Sequence, residues 1–259
     1  MEKAGLLAKW ENPGVAIVTG ASSGIGAEFA RQLAARGFTP VLVARREDRL
    51  KAIAEELQQT SGVAAEVIVA DLAMTEGIER VETRMKELNN LDVLVNNAGF
   101  GTVGDFSELD FNLELAMLTL HIVAPVHFCR AALERMIPRK RGAIINVSSI
   151  AALAFAPKGV MYNSTKVFLK AFSENLALNF QGKKIKVQAL CPGFTRTEFG
   201  ETESMTRDGP PYANIPENLW MTTTECVSLS LANLGKGAVA FVPGEETRAF
   251  LARLGVKLD

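Results

Sequence analysis

Short runs of apolar residues, rich in valine and isoleucine, alternate along this chain with longer stretches of mixed composition. The runs show no polar alternation, which is typical of strands buried on both faces of a sheet. Helical spacing marks the stretches between them, as in the apolar stripe of Ile25, Phe29 and Leu33. This pattern predicts an α/β fold, a doubly wound parallel sheet with helices on both faces. The seven predicted strands span residues 15–19, 40–44, 65–70, 92–95, 143–147, 186–190 and 238–242.

The composition is that of a soluble globular protein. The chain has 259 residues, 48% hydrophobic and 22% charged, with a formal net charge of −1, which argues against a strongly basic nucleic-acid-binding protein. Three cysteines fit no paired disulfide framework, and the N-terminal sequence lacks the apolar core of a signal peptide. We therefore expect a single cytoplasmic domain over residues 1–259, with no metal site and no membrane span.

One irregular segment interrupts the alternation. Residues 200–216 contain three prolines, two glycines and many polar residues. Long loops in compact domains often carry function, so we expect a substrate loop over about residues 200–219. Together with residues 103–109 and 151–160, this loop is expected to form the wall of an apolar pocket.

A glycine-rich turn follows the first predicted strand. In the sequence TGASSGIG, residues 19–26, Gly20 permits a tight turn, Gly24 lets the backbone approach a pyrophosphate, and Gly26 lets helix and strand pack closely. The N-terminus of the following helix then points at the phosphates. An ordinary strand–helix turn would have similar glycines, and the strand before and helix after the turn favour the dinucleotide site.

The end of the second predicted strand bears on the choice of cofactor. An NAD site of this kind usually has an acidic residue there, which binds the ribose 2′-hydroxyl. Here the strand is followed by Arg45 and Arg46, whose guanidinium groups suit a 2′-phosphate. The sequence therefore favours NADP(H) over NAD, unless both arginines are merely solvated residues at the start of the next helix.

A candidate catalytic group follows the fifth strand. Ser149 stands at its end, and Tyr162 and Lys166 lie four residues apart, so that on a helix they share one face. An ammonium close to a phenol lowers the pKa of the phenol, as general acid–base catalysis near neutral pH requires. A buried tyrosine with a lysine reaching to solvent would give the same spacing. Placement after the fifth strand of a dinucleotide fold favours catalysis.

In this order, the motifs resemble those of the short-chain dehydrogenase/reductase family over about residues 13–245. They are TGASSGIG at residues 19–26, Asp71, the sequence NNAG at residues 96–99, Ser149, Tyr162 with Lys166, and PGFTRT at residues 192–197. The resemblance implies a Rossmann-type sheet of seven strands in a single-domain, NADP(H)-preferring member. It also implies that Tyr162 is the general acid/base, that Lys166 binds the nicotinamide ribose and that Ser149 holds the carbonyl oxygen.

The same resemblance implies a set of cofactor-binding residues. Asp71 would reach the adenine, Asn97 and Gly99 would border the adenosine ribose, and Thr195 and Thr197 would hold the carboxamide. The full predicted set is Gly20, Ser22, Ser23, Gly24, Ile25, Gly26, Arg45, Asp71, Leu72, Asn97, Gly99, Tyr162, Lys166, Pro192, Gly193, Thr195 and Thr197.

The chain departs from the family at one position. A fourth catalytic residue, asparagine in the family, aligns with His121. One hypothesis is that the imidazole joins a proton relay near neutral pH. The alternative is a polar helix residue with no catalytic part.

These observations predict an NADP(H)-dependent oxidoreductase that transfers hydride between nicotinamide and a carbonyl or alcohol substrate. One alternative is an enzyme similar to 3-oxoacyl-acyl-carrier-protein reductases, for which the basic run at residues 139–141 would meet an acidic carrier. Another is a non-catalytic NADP-binding sensor or scaffold, supported only by His121. The expected partners are a small-molecule substrate and a second copy of the chain, because family members pair as homodimers or homotetramers through two long helices, here about residues 109–136 and 160–181.

Overall fold

The computed structural model describes residues 5–206, 209 and 212–258. The parts of the predicted domain and substrate loop at residues 1–4, 207–208, 210–211 and 259 lie outside this description. All seven predicted strands are present, and the predicted parallel sheet is confirmed. The strands are β1 (Val15–Thr19), β2 (Thr39–Ala44), β3 (Glu66–Val69), β4 (Leu91–Asn96), β5 (Gly142–Val147), β6 (Ile185–Leu190) and β7 (Ala240–Phe241).

The strand order positions the site. It is β3-β2-β1-β4-β5-β6-β7, so the chain winds outward from β1 in one direction and then resumes on the other side of β1 with β4. Ile17 of β1 accordingly pairs with Val41 on one side and Leu94 on the other. Ligands of open α/β sheets bind beyond the carboxyl ends of the strands at such a reversal.

Strand β7 is shorter than the sequence predicts. Residues 238–242 form an apolar run, but only Ala240 and Phe241 pair, with Ala189 and Leu190 of β6. A run at the edge of a sheet has a single neighbour, so its strand length is set by that partner rather than by its own composition.

Helices cover both faces of the sheet, as predicted. In the described ranges they are α1 (Gly24–Ala34), α2 (Glu47–Ser61), α3 (Thr75–Glu87), α4 (Phe111–Leu118), α5 (Ala124–Arg139), α6 (Val160–Asn179), α7 (Glu203–Thr206), α8 (Thr223–Asn233) and α9 (Glu245–Arg253). The predicted substrate loop is thus partly regular, because α7 and two short 3-10 turns, Glu198–Glu201 and Glu217–Leu219, fall within or beside it.

Two apolar layers hold the helices to the sheet. Ala16 and Val18 of β1 pack with Phe29 and Leu33 of α1 on one face, together with residues of α2 and α8. Val15 and Ile17 point to the opposite layer, which contains Phe128 and the residues of α3 and α5 around it. Alternate residues of one strand therefore pack into two different cores, which explains why these strands show no regular alternation of polar and apolar residues.

The stretch Phe111–Arg139 is continuous helix with a π-helical turn at Thr119–Val123 between α4 and α5. By length and composition alone it is apolar enough to cross a membrane. Here α5 packs against α3 and β4, and Phe128, Ala132 and Met136 are buried in the sheet-facing layer. That is the packing of a core helix of a globular protein, which passes the same compositional test.

Candidate active site

The glycine turn has the close backbone approaches that the sequence predicts. Gly20 has φ +65°, and a Cβ on it would lie 2.8 Å from the Ala98 Cα. A Cβ on Gly26 would lie 2.3 Å from the Gly20 carbonyl oxygen, so only glycine fits where α1 crosses β1. Ser23 precedes α1 without a side-chain capping bond, which leaves N–H groups of the first turn available to an anion. The turn therefore fits the pyrophosphate of a dinucleotide.

Two polar side chains tie this turn to β4. Asn97 Nδ2 donates to the Thr19 carbonyl oxygen at 2.9 Å, and Thr19 Oγ1 accepts from the Asn97 and Ala98 amides at 2.9 and 3.0 Å. The predicted cofactor residue Asn97 thus also fixes the cleft between β1 and β4. Ile25 packs partly into the core beside the turn.

The predicted adenine end forms a separate hollow. A cavity of about 440 Å³ is lined by Arg45, Asp71 and Met74, among others. Arg45 is largely exposed and lies 3.8 Å from the Asp71 carboxylate. Leu72, also predicted to bind cofactor, has its side chain in the core, so any contact it makes with a cofactor runs through its backbone.

Arg46, rather than Arg45, reaches the glycine turn. Its Nη2 donates to Ser22 Oγ at 2.9 Å and to Ser23 Oγ at 2.8 Å. The guanidinium also pairs with Glu198, which lies directly after the predicted PGFTRT motif. The sequence shows only that both arginines follow β2. The structure shows that their side chains point to different places, since Arg46 is the residue directly before the first turn of α2.

The PGFTRT segment lies across from the turn. The Thr197 methyl would lie 3.0 Å from a Cβ on Gly24, so this segment passes over the turn. Pro192 accepts a hydrogen bond from the Ile150 amide at 3.0 Å, and a Cβ on Gly193 would lie 2.7 Å from the Thr247 side chain. Thr195 Oγ1 donates to the Gly193 carbonyl oxygen at 3.1 Å.

The structure brings Ser149, Tyr162 and Lys166 together at the carboxyl end of β5. Ser149 hydrogen bonds to Tyr162, and its Oγ accepts from the Ala151 amide at 3.1 Å. Lys166 is buried, and its Nζ lies 5.5 Å from the centre of the Tyr162 ring. The Lys166 ammonium donates to the Val147 carbonyl oxygen at 3.0 Å.

The predicted lowering of the Tyr162 pKa is wrong for the protein's own side chains. Burial raises the pKa of Tyr162, and the hydrogen bond with Ser149 offsets only part of that rise. Burial also lowers the pKa of Lys166 to about 8, because an ammonium loses hydration in the cleft. The nearby Lys166 charge does not outweigh the desolvation of the phenol.

His121 lies in the π-helical turn, fully buried beside the site. Its Nδ1 is 2.9 Å from Thr165 Oγ1, whose hydroxyl donates to the Tyr162 carbonyl oxygen at 2.8 Å. Thr165 must therefore accept from Nδ1–H, which leaves Nε2 to accept from the Phe100 amide at 3.2 Å. Burial and nearby Lys166 hold the pKa of His121 well below its usual value.

The imidazole is thus neutral, with both nitrogens bonded to protein groups. This geometry favours a positioning part over the proton relay, because neither nitrogen is free to exchange a proton with solvent or substrate. Gly99 completes the contact, since a Cβ there would lie 2.7 Å from His121 Nε2.

The three predicted wall segments meet as expected. Gly104 N donates to the Lys158 carbonyl oxygen at 3.1 Å, and Val103 N donates to Ser204 at 3.2 Å. The sequence analysis did not predict an aromatic lining, because its members are far apart in sequence. The ring centre of Phe199 lies 5.8 Å from that of Tyr162. The ring centres of Tyr212 and Trp220 lie 5.6 and 5.8 Å from that of Phe194.

Among the described residues, no cluster of histidine, cysteine or acidic side chains could hold a metal ion.

Comparison with known proteins agrees with this geometry. The family model described as short chain dehydrogenase matches residues 14–208. Very-long-chain 3-oxoacyl-CoA reductase-A of Danio rerio is 31% identical over 212 residues, 79% of this chain and 63% of that relative, so the chain spans less than two thirds of its length. An uncharacterized oxidoreductase of Myxococcus xanthus is 31% identical over 225 residues, 86% of this chain and 83% of that protein.

Solved structures agree over nearly the whole chain. A short-chain dehydrogenase from Sphingobium yanoikuyae, in complex with NADPH, has a TM-score of 0.83 and 33% identity, covering 94% of this chain and 92% of the other. A bulky-bulky ketone specific alcohol dehydrogenase from Comamonas testosteroni has a TM-score of 0.79 and 31% identity, covering 95% and 94%. The chain therefore belongs to the short-chain dehydrogenase family.

Proposed function

We propose that this chain is an NADP(H)-dependent carbonyl reductase or alcohol dehydrogenase for apolar substrates, with Tyr162 as general acid/base. The observation that carries the proposal is the hydrogen-bonded pair of Ser149 and Tyr162, which lies beside the buried ammonium of Lys166 in the cleft that the glycine turn borders. When bound, the nicotinamide supplies or accepts the hydride.

The protein's own groups handle the proton and the substrate oxygen. In the direction of reduction, Tyr162 gives its phenol proton to the oxygen, and Ser149 holds that oxygen by a hydrogen bond. Lys166, with a pKa of about 8, is mostly charged at neutral pH and stabilises the phenolate that forms. Its hydrogen bond to Val147 fixes the ammonium in the cleft.

Two features support a phosphorylated cofactor. No carboxylate ends β2, where an NAD site usually has one, and Arg46 lies against Ser22 and Ser23 of the glycine turn. The Sphingobium yanoikuyae structure is a complex with NADPH at 33% identity. Arg45, exposed beside the adenine-side cavity, is a second candidate for the 2′-phosphate.

The test is NADPH oxidation, followed at 340 nm (absorbance loss), with a panel of ketones and aldehydes. We expect turnover with NADPH at least tenfold above that with NADH, and a loss of about 10²–10⁴ in rate for Tyr162→Phe. Tyr162→Phe should still bind NADPH, which separates a lost proton donor from a lost fold. Binding of NADPH without turnover across the panel would favour the sensor or scaffold instead.

A 3-oxoacyl thioester is the second candidate substrate. The Danio rerio relative is a very-long-chain 3-oxoacyl-CoA reductase, and an aromatic wall suits an acyl chain. An acyl-carrier protein has less support, because Arg139 and Arg141 pair with buried Asp92 at 2.5 and 2.6 Å. A series of 3-oxoacyl-CoA substrates of rising chain length, compared with aryl ketones under equal conditions, separates the two classes.

We also propose a cytoplasmic homodimer or homotetramer. Helices α4 and α6 expose Leu115, Phe168 and Leu178, which a partner copy would cover. Light scattering of the purified protein reports the assembly, and cell fractionation reports its location.

A further inference from the structure

The carboxylate of Glu198 lies against two arginines and a serine beside the glycine turn. Glu198 Oε1 lies 2.5 Å from Arg46 Nη1, and Oε2 lies 2.6 Å from Arg49 Nη1. Ser23 also hydrogen bonds to the carboxylate. These two arginines and this serine surround one negative charge that belongs to the protein itself.

Glu198 does not belong to the element that it contacts. It begins the 3-10 turn Glu198–Glu201, directly after Thr197, and this segment leads into the substrate loop. Arg46 and Arg49 lie at the start of α2, about 150 residues earlier in the chain. The ion pairs therefore join the substrate-loop side of the cleft to the glycine-turn side.

The Arg46 guanidinium cannot bind both the Glu198 carboxylate and a ligand anion at full strength. Arg46 already donates to Ser22 and Ser23, so the edge of the guanidinium that faces Glu198 is the one that remains for a ligand. A second anion beside the Glu198 carboxylate would also meet like-charge repulsion. Burial raises the pKa of Glu198, but the hydrogen bonds from Arg49, Ser23 and Arg46 outweigh it and lower the pKa to about 2, so the competing charge is present at neutral pH.

We propose that Glu198 is a specificity-determining residue of the cofactor site: it competes with the 2′-phosphate for Arg46 and Arg49, and NADP(H) binding displaces it. This inference rests on the proposed preference for NADP(H). It implies that the chain holds its phosphorylated cofactor less tightly than its arginines allow. It also implies that cofactor binding releases the start of the substrate loop from α2.

The experiment measures cofactor affinity rather than turnover. Titrations with NADPH and NADH by fluorescence, and with adenosine 2′,5′-bisphosphate and AMP by calorimetry, are made on the wild type and on Glu198→Gln. Partly exposed ion pairs are weak individually, so we expect NADPH and the bisphosphate to bind about fivefold more tightly to Glu198→Gln. Affinities for NADH and AMP should change less than about twofold, since neither carries the 2′-phosphate.

Matched variants isolate the competition. Glu201→Gln removes a carboxylate from the same 3-10 turn, one that is exposed and has no ion pair among the described residues, and should change none of the four affinities. In the double variant Arg46→Ala/Arg49→Ala, adding Glu198→Gln should have no further effect on NADPH binding. Circular dichroism and the Tm of each variant check that the fold is intact.

The possible outcomes separate the competition by Glu198 from the proposed preference for NADP(H). Equal tightening of NADPH and NADH, no tightening, or weaker NADPH binding in Glu198→Gln would overturn the competition. If the wild type prefers NADH, the proposed cofactor itself fails. If the double arginine variant loses the NADPH preference while Glu198→Gln changes nothing, the proposed function stands and only this inference is lost.

Discussion

Lys166 donates to the carbonyl oxygen of Val147 at 3.0 Å, and this bond fixes a buried ammonium at the end of β5. The Tyr162 ring is centred 5.5 Å from Nζ. Burial lowers the pKa of Lys166 to about 8, so the folded protein holds an energetically unfavourable charge at the point where the proposed reaction needs one.

The stored charge makes stability depend on pH. Between pH 8 and 10.5 the folded state releases the Lys166 proton while the unfolded chain keeps it, so stability rises with pH through this window. Lys166→Met abolishes that gain. We expect the free energy of unfolding of the variant, relative to wild type, to fall by about 3 kcal/mol from pH 7 to 10.5.

Urea unfolding at several pH values measures this difference. The matched control is Lys170→Met, one helical turn further along α6, where the ammonium pairs with Glu174 at 2.7 Å on a more exposed face. The fall for Lys166→Met should exceed any change seen for Lys170→Met over the same range. A constant difference for Lys166→Met would mean that Lys166 has an ordinary pKa.

His121 should act through position and not through proton transfer. Because its two nitrogens are bonded to Phe100 and Thr165, His121→Asn keeps at most part of this link. We expect a loss of less than about tenfold in kcat/KM, below the factor that a general acid–base group contributes. The pH profile between 6 and 8 should not change.

The pH dependence of the free energy of unfolding tests independently whether the His121 imidazole is neutral in the folded protein. The folded pKa of His121 lies well below 6.5, so wild type loses stability as pH falls below that value and the unfolded chain takes up the proton. His121→Asn should lose less stability between pH 7 and 5. A rate loss of several orders of magnitude, or a shifted pH profile, would instead assign the imidazole a catalytic step.

Gly99 is required by the imidazole beside it. A Cβ there would lie 2.7 Å from His121 Nε2, closer than atoms pack, so Gly99→Ala should cost about 1–3 kcal/mol of unfolding free energy. Removing the ring should remove most of that cost. In the background of His121→Ala, urea unfolding should show a smaller penalty for the alanine at position 99, and an unchanged penalty would point to another neighbour.

The sheet could be predicted from the sequence because strands buried on both faces are mostly apolar, whichever strands they pair with. It also identified Ser149, Tyr162 and Lys166, because two of the three share a helix. It could not identify the Glu198–Arg46 pair, since no local pattern links residues on opposite sides of the cleft. The direction of the Tyr162 pKa has a similar origin: spacing places the ammonium nearby, but the burial that raises this pKa depends on packing between distant segments.

Phe199 should set the preference for bulky substrates. Its ring lies 5.8 Å from the ring of Tyr162, the proposed general acid/base, and it belongs to the turn that leads into the proposed substrate loop. An aromatic contact is worth about 1 kcal/mol beyond its buried area, so Phe199→Ala should lower kcat/KM for aryl ketones by about tenfold. A small aliphatic ketone should lose much less, because it does not reach the ring.

The control for Phe199→Ala is a second substitution of phenylalanine by alanine, outside the site. Phe111→Ala removes an exposed phenylalanine at the start of α4 and should leave both substrates unaffected. NADPH affinity, measured in parallel, excludes an effect through the cofactor. If Phe199→Ala lowers the rate with both ketones equally while NADPH binding is intact, Phe199 supports Tyr162 itself, and the aromatic wall does not select the substrate.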